Sequence, residues 1–371
     1  MAKFLSDKIN ERIQSNSLRE LKNVDLNLVD FSSNDYLGYA QSTRLKQKLK
    51  EEIELNPDYK IGSTGSRLIS GNSKYIEDLE SAIANFHEAE TGLIFNSGYD
   101  ANIGLLSSIA TRNDTYICDE LIHASLIDGV RLSKANKFTF KHNNLEALED
   151  KLKIAKGNVF IVTESVFSMD GDLAPLTPIA ALANKYNAYL IVDEAHATGV
   201  IGKNGEGLVQ SLGLQNQIFA RIITFGKAIG SHGAIILGTQ TLKTYLINFA
   251  RSFIYTTAPS FHNLAAVKNA YQYLNESEEI KNLRSNIKYF NAKIKNQNHQ
   301  FIFSESAIQS LLASGNTECK SMANKIRANG FDVKAILSPT VPLGKERIRI
   351  CLHAYNTKQE IDNLINIIIK S

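Results

Sequence analysis

The stretch NAYLIVDEAHATGVIG, residues 187–202, decides the fold: a β-rich apolar run stops at Asp193, and His196 follows three residues later. A second run, FARIITF, leads directly into Gly226 and Lys227, so that T-F-G-K occupies residues 224–227. Strands covered on both faces read as continuous apolar runs, and open α/β sheets build their sites at the carboxyl ends of their strands. A carboxylate, an imidazole and a lysine at two such ends predict an enzyme.

Outward from this stretch, short β-rich runs alternate with amphipathic helices from about residue 91. TGLIF precedes a helix over 98–110, DTYIC one over 124–133, KFTF one over 144–155, and NVFIVT one over 175–186. That alternation predicts a mostly parallel sheet sandwiched by helices. Helical periodicity dominates 239–297. AIQSLLA, a helix over 318–329, FDVKAIL, RIRICLH and a last helix over 357–369 then predict a small α+β domain. The expected domains are an N-terminal helix and arm (1–40), a large domain (41–280) and a small C-terminal domain (281–371).

Two chemistries use an acid at the end of such a strand. D-E-A-H resembles the Mg²⁺-binding box of a nucleotide hydrolase, which also requires G-x-x-x-x-G-K-[ST] to cradle phosphates. Lysine follows glycine at Lys203, Lys227 and Lys345, and Asn204, Ala228 and Glu346 come next, so the hydroxyl that would hold Mg²⁺ is missing. The other chemistry is that of pyridoxal phosphate, in which a lysine forms a Schiff base and an aspartate pairs with the pyridine nitrogen. Lys227 and Asp193 suit those two roles, with a lowered lysine pKa supplying the neutral amine.

Composition narrows the remaining classes. The 371 residues are 43% hydrophobic and 21% charged, with a net charge of +3. That charge is too small and too evenly spread to predict nucleic-acid binding. No apolar run approaches the roughly 20 residues of a membrane span, and MAKFLSDKINERIQ lacks the apolar core of a signal peptide, so a cytoplasmic enzyme is expected. Cys118, Cys319 and Cys351 show no C-x-x-C spacing, and the histidines no i, i+4 spacing, so neither disulfides nor a metal site is expected. The cysteines read as ordinary buried thiols.

Further candidates fall at neighbouring strand ends. N-S-G-Y-D-A-N (96–102) opens a helix, and the amides of Gly98 and Tyr99 there suit a phosphate; Thr224 adds a hydroxyl. His123 taken alone reads as a helix cap or a core-edge histidine, but beside Asp193 and Lys227 it suits a ring stacked on pyridine. In E-S-V-F-S-M-D-G-D (164–172), Ser168 suits a hydrogen bond to a phenolic oxygen with His196 approaching, Glu164 is a weaker candidate, and the aspartates fit ordinary turn chemistry. Glu194 and Ala195 read as spacing. Arg347 and Arg349 share one face of RIRIC, so one of them is a candidate carboxylate anchor unless the strand is a solvated edge.

Several stretches together resemble a known family: DFSSNDYLG (30–38), GSTGSRLISGN (62–72), HASLIDG (123–129), ESVFSMDGDLAPL (164–176), VDEAH-TGVIG (192–202, with Ala197 where glycine is more usual) and TFGKA (224–228). They are similar to those of the α-oxoamine synthases, pyridoxal phosphate enzymes of the aspartate aminotransferase fold (fold type I). IQSLLASGN (308–316) and SPTVPLGKERIRICLHA (338–354) look most like the biotin-pathway member, an acyltransferase that joins L-alanine to a pimeloyl thioester, carried on CoA or on acyl carrier protein, with loss of CO₂. Members that join glycine to an acetyl thioester or serine to a long acyl thioester are the alternatives. The resemblance implies Lys227 as the Schiff-base lysine, Asp193 at the pyridine nitrogen, His123 stacked on the ring, and Ser168 and His196 at the phenolic oxygen. It implies Gly98, Tyr99 and Thr224 at the phosphate, and a homodimer in which Thr256 reaches the partner's phosphate. Arg349 would hold the substrate carboxylate, and Arg19 would lie near the pimeloyl end.

Overall fold

The computed structural model describes residues 2–21, 23–295, 297 and 300–370. They form two compact units, a larger one of Leu37–Phe167 with Leu173–Ile280 and a smaller one of Met1–Tyr36, Ser168–Asp172 and Lys281–Ser371.

The larger unit is built on seven strands: β1 (Thr91–Phe95), β2 (Thr115–Asp119), β3 (Asn136–Phe140), β4 (Val159–Glu164), β5 (Tyr189–Asp193), β6 (Ala220–Thr224) and β7 (Ala234–Gly238). Their order across the sheet is β1-β7-β6-β5-β4-β2-β3. β7 alone runs antiparallel, between β1 and β6, so the sheet is mostly parallel, as the alternation predicts. β7 is absent from the sequence-based expectation, because AIILG follows the Lys227 loop directly and no helix separates it from β6. The middle strands carry the unbroken apolar runs: Ile161, Val162, Ile191, Val192, Ile222 and Ile223 are all at most 1% exposed. Packing helices on both faces removes those side chains from water, each worth about 1.5–3 kcal/mol.

Helix starts in this unit are set by local capping. Ser97 caps Gly98–Ile109 by accepting from Asp100 N, and His123 caps Ala124–Ser133 by accepting from Ser125 N through its ring. Such caps are worth about 1 kcal/mol each, and they bring both helix N-termini to the carboxyl edge of the sheet. After β5, Gly199 adopts φ +78, where a Cβ would collide with the Ala228 methyl. The D-E-A-H loop can therefore lie directly on the loop that carries Lys227.

In the smaller unit, β8 (Phe301–Ile302), β9 (Ile308–Leu312), β10 (Lys334–Ile336) and β11 (Arg347–Cys351) form an antiparallel sheet in the order β10-β11-β9-β8. β11 is interior and buried along its whole length, which rules out a solvated edge. FDVKAIL divides in two: Phe331–Asp332 pairs in parallel with Val29–Asp30, and only Lys334–Ile336 joins the four-stranded sheet. Among the described residues, no helix is long and apolar enough to cross a membrane. All three cysteines are free and buried.

Candidate active site

The carboxyl ends of β4, β5 and β6 and the two capped helix N-termini enclose a cavity of about 180 Å³ in the larger unit. It collects Gly98, Tyr99, His123, Glu164, Asp193, His196, Thr224 and Lys227 from five separate stretches of chain. Lys227 Nζ lies 2.7 Å from His196 Nε2. Asp193 is 6% exposed and both of its oxygens are engaged: Oδ2 accepts from Asn102 Nδ2 and Oδ1 from Ala195 N, each at 2.9 Å.

His123 is at once a cap and a wall of the pocket. Its Nδ1 accepts from Ser125 N at 3.2 Å and lies 2.7 Å from Ser125 Oγ, which assigns the hydrogen of the neutral ring to Nε2. Burial, helped by the Lys227 charge and opposed by Asp193, holds His123 below the usual imidazole range. Its backbone N–H donates to Glu164 Oε1 at 2.5 Å. Burial first, and then the Asp193 charge, push the Glu164 carboxyl up to about 8.

Gly98 and Thr224 form another part of the cavity wall. Gly98 opens its helix, and a Cβ there would stand 3.4 Å from Thr224 Oγ1; glycine keeps that gap clear at a dipole end that attracts anions. Thr224 Oγ1 also accepts from Gly226 N at 3.4 Å. Tyr99 hydrogen-bonds Asp128 at 2.9 Å through its hydroxyl and is half-exposed. Thr256 lies outside this cavity, where its hydroxyl accepts from Asn96 Nδ2 at 3.0 Å.

Ser168, Arg349 and Arg19 belong to the smaller unit. Arg349 is 7% exposed and donates to Ser168 O at 2.7 Å, Cys351 Sγ at 3.0 Å and Asn34 Oδ1 at 3.0 Å. Among the described residues, no carboxylate pairs with it. Arg347, on the same face, is neutralised by Asp170. Arg349 differs from it in that its buried charge has only neutral protein partners. Arg19 is exposed, donates to Thr340 Oγ1 at 3.2 Å, and lines a cleft of about 680 Å³ within that unit.

One sequence reading is corrected. Glu194 is not spacing: it is fully buried, and its carboxylate accepts from Arg221 Nη2 at 2.8 Å, Arg221 Nε at 3.1 Å and Val209 N at 2.9 Å. Successive strand-end residues point to opposite sides of the sheet, so Asp193 faces the pocket and Glu194 the interior. Asn102 and Ser125 escaped the sequence reading altogether. Asn102 carried a usable signal, since it lies one turn after Gly98 on the same helix face and is polar in an otherwise apolar row.

The chain belongs to the aminotransferase class I and II family, whose model matches residues 27–368. Within it the similarity is to α-oxoamine synthases. The 8-amino-7-oxononanoate synthase of Emericella nidulans is 43% identical over 94% of this chain and 90% of its own. That of Lysinibacillus sphaericus is 42% identical, covering 92% and 87%. Among solved structures, the Francisella tularensis 8-amino-7-oxononanoate synthase superposes with a TM-score of 0.80 at 31% identity, over 93% of this chain and 98% of that one. A Sphingomonas wittichii serine palmitoyltransferase gives a TM-score of 0.90 over 100% and 96%, but at 22% identity it speaks to the fold alone.

Proposed function

We infer that the chain joins L-alanine to a pimeloyl thioester, releasing the thiol and CO₂ and forming 8-amino-7-oxononanoate for biotin synthesis, with pyridoxal phosphate as cofactor. The observation that carries this reading is the convergence of Asp193, Lys227, His123 and His196 in one cavity, in a chain whose relatives at about 40% identity bear that activity's name.

The residues present fit the cofactor. A buried acid held by two donors suits a pyridinium nitrogen, an amine suits an aldehyde, and the Gly98 helix start with Thr224 suits a phosphate. Asn102, which orients Asp193, leaves its own Oδ1 buried with no partner, so this wall has unused polar capacity. The cofactor supplies an electron sink for the electrons released at the α-carbon.

The remaining work falls to the chain itself. Lys227 is the general base for the α-proton of alanine, and His196, 2.7 Å away, orients its amine. Asn102 and Ala195 N fix the Asp193 carboxylate against rotation. His123 lines the pocket with its ring, and Ser168 and His196 are assigned to the phenolic oxygen. Arg349 takes the alanine carboxylate as a bidentate fork, and Arg19 the distal pimeloyl carboxylate. Thr256 serves the phosphate of the partner's site in a homodimer.

The test is a substrate matrix. Purified protein is mixed with alanine, glycine or serine against pimeloyl-CoA, pimeloyl acyl carrier protein, acetyl-CoA and palmitoyl-CoA, and products are identified by mass. Alanine with a pimeloyl thioester is expected to dominate, and preference for another pair overturns the assignment. Borohydride reduction followed by peptide mapping is expected to leave the cofactor on Lys227.

A further inference from the structure

Two carboxyl groups stand at one register in this pocket, and the proposed reaction uses one of them. Glu164 ends β4 and Asp193 ends β5, and the two residues are direct partners in the parallel ladder. In-register residues of adjacent strands point to the same side of the sheet from backbones about 4.8 Å apart. Both side chains are buried, at 3% and 6% exposure, and both line the cavity. Two carboxylates so placed cannot both ionise without large cost, so one of them keeps a proton.

The donors around the pair decide which one. Asp193 has a side-chain N–H on one oxygen and a backbone N–H on the other, an arrangement that favours the anion. Glu164 receives the His123 N–H on Oε1, a bond that a neutral carbonyl oxygen accepts as well. The charged and titratable groups facing Glu164 are Asp193, Lys227, Asp119 with its partner His142, and the imidazoles of His123 and His196. Two are acids, and Lys227, which lies next to His196, is the one amine among them.

We propose that Glu164 and Asp193 hold a single proton between them, that it resides on Glu164, and that Glu164 is a positioning residue which anchors the His123 backbone while leaving Asp193 as the anion of the pocket. The upward shift of the Glu164 carboxyl points the same way. An ionised Glu164 would compete with Asp193 for the positive charge that the site needs at one place.

The inference rests on the proposed function only for what the pocket turns over, so the deciding readout contains no substrate. Infrared spectra of the holoenzyme are recorded for wild type and Glu164→Gln between about pH 6 and pH 9. A protonated-carboxyl band is expected in wild type, absent from Glu164→Gln and fading as pH rises through about 8. No such band in wild type, or one that persists in Glu164→Gln, overturns the proposal, the latter by placing the proton on Asp193. In turnover, Glu164→Gln is expected within about threefold of wild type, and Glu164→Ala about tenfold or more below it, because the buried His123 N–H then lacks an acceptor. Equal losses in the two variants would show that the negative charge is needed, and the proposal falls. If the band behaves as expected and no substrate pair reacts, the proton assignment stands and the functional reading fails.

Discussion

Asp193 and Glu194 are neighbours in the chain and belong to two different networks. On the interior side, Glu194 meets Arg221, whose guanidinium also donates to His87 O at 2.8 Å and Glu206 O at 3.2 Å. Charge cancels there within the protein, and two backbone carbonyls accept further guanidinium N–H groups. On the pocket side, the donors to Asp193 are neutral, Asn102 keeps an unpartnered oxygen, and Lys227 contacts an imidazole. Arg347 with Asp170 and Arg349 with neutral acceptors repeat the contrast in the smaller unit. Glu194 and Arg347 thus have charged partners inside the chain, whereas Asp193 and Arg349 have neutral hydrogen-bond partners, as the proposed function requires of groups that hold a ligand.

The largest test of that contrast is Lys227→Ala. Removing the general base is expected to lower kcat by roughly 10²–10⁴-fold or more, with a denaturant midpoint close to wild type because Lys227 is only half-buried. A variant that unfolds easily, or that stays active, breaks the distinction. The opposite behaviour is expected of Glu194→Ala, which strands Arg221 as a buried cation and costs about 3–5 kcal/mol of stability. Measured by urea unfolding, the double variant Glu194→Ala, Arg221→Met is expected to recover much of that loss. No recovery would show that packing, and not the stranded charge, sets the cost.

The same contrast explains what could be read from the chain alone. Asp193, His196, Lys227 and the mostly parallel sheet are legible because each rests on a local pattern, an apolar run followed by a polar terminus. Glu194 is not legible because a strand end shows its residues in sequence, while the face each one takes depends on the pleat and on Arg221 arriving from β6, 27 residues later. Arg347 and Arg349 are indistinguishable by periodicity, and only the position of Asp170, about 180 residues upstream, separates them. Glu164 is legible only as a weak candidate and Asn102 only as a polar residue in an apolar row, because their contacts, to His123 and Asp193, are with segments distant in the chain.

Arg349→Lys carries the contrast into the smaller unit at intermediate size. Lysine keeps the charge and loses the planar fork, so KM for alanine is expected to rise about tenfold or more while kcat for bound substrate changes less. Asp170→Asn is expected to lower stability and leave that KM near wild type. If both variants raise KM equally, Arg347 and Arg349 act as one anchor and the assignment of separate roles fails.

The smallest effect is expected at His123, where cap and pocket roles coincide in one side chain. Asparagine caps a helix as well as any residue, so His123→Asn is expected to keep stability within about 0.5 kcal/mol near neutral pH while turnover falls. The pH dependence separates the two roles. Burial holds the folded imidazole below its unfolded value, so the unfolded state binds the proton more readily. The resulting stability is fully present above about pH 6.5 and is lost as pH falls through the folded value. Wild type is therefore expected to lose stability below about pH 6.5 more steeply than His123→Asn. Parallel acid limbs would mean that the ring is solvated and titrates freely, and a freely solvated ring could not be the wall on which a cofactor stacks.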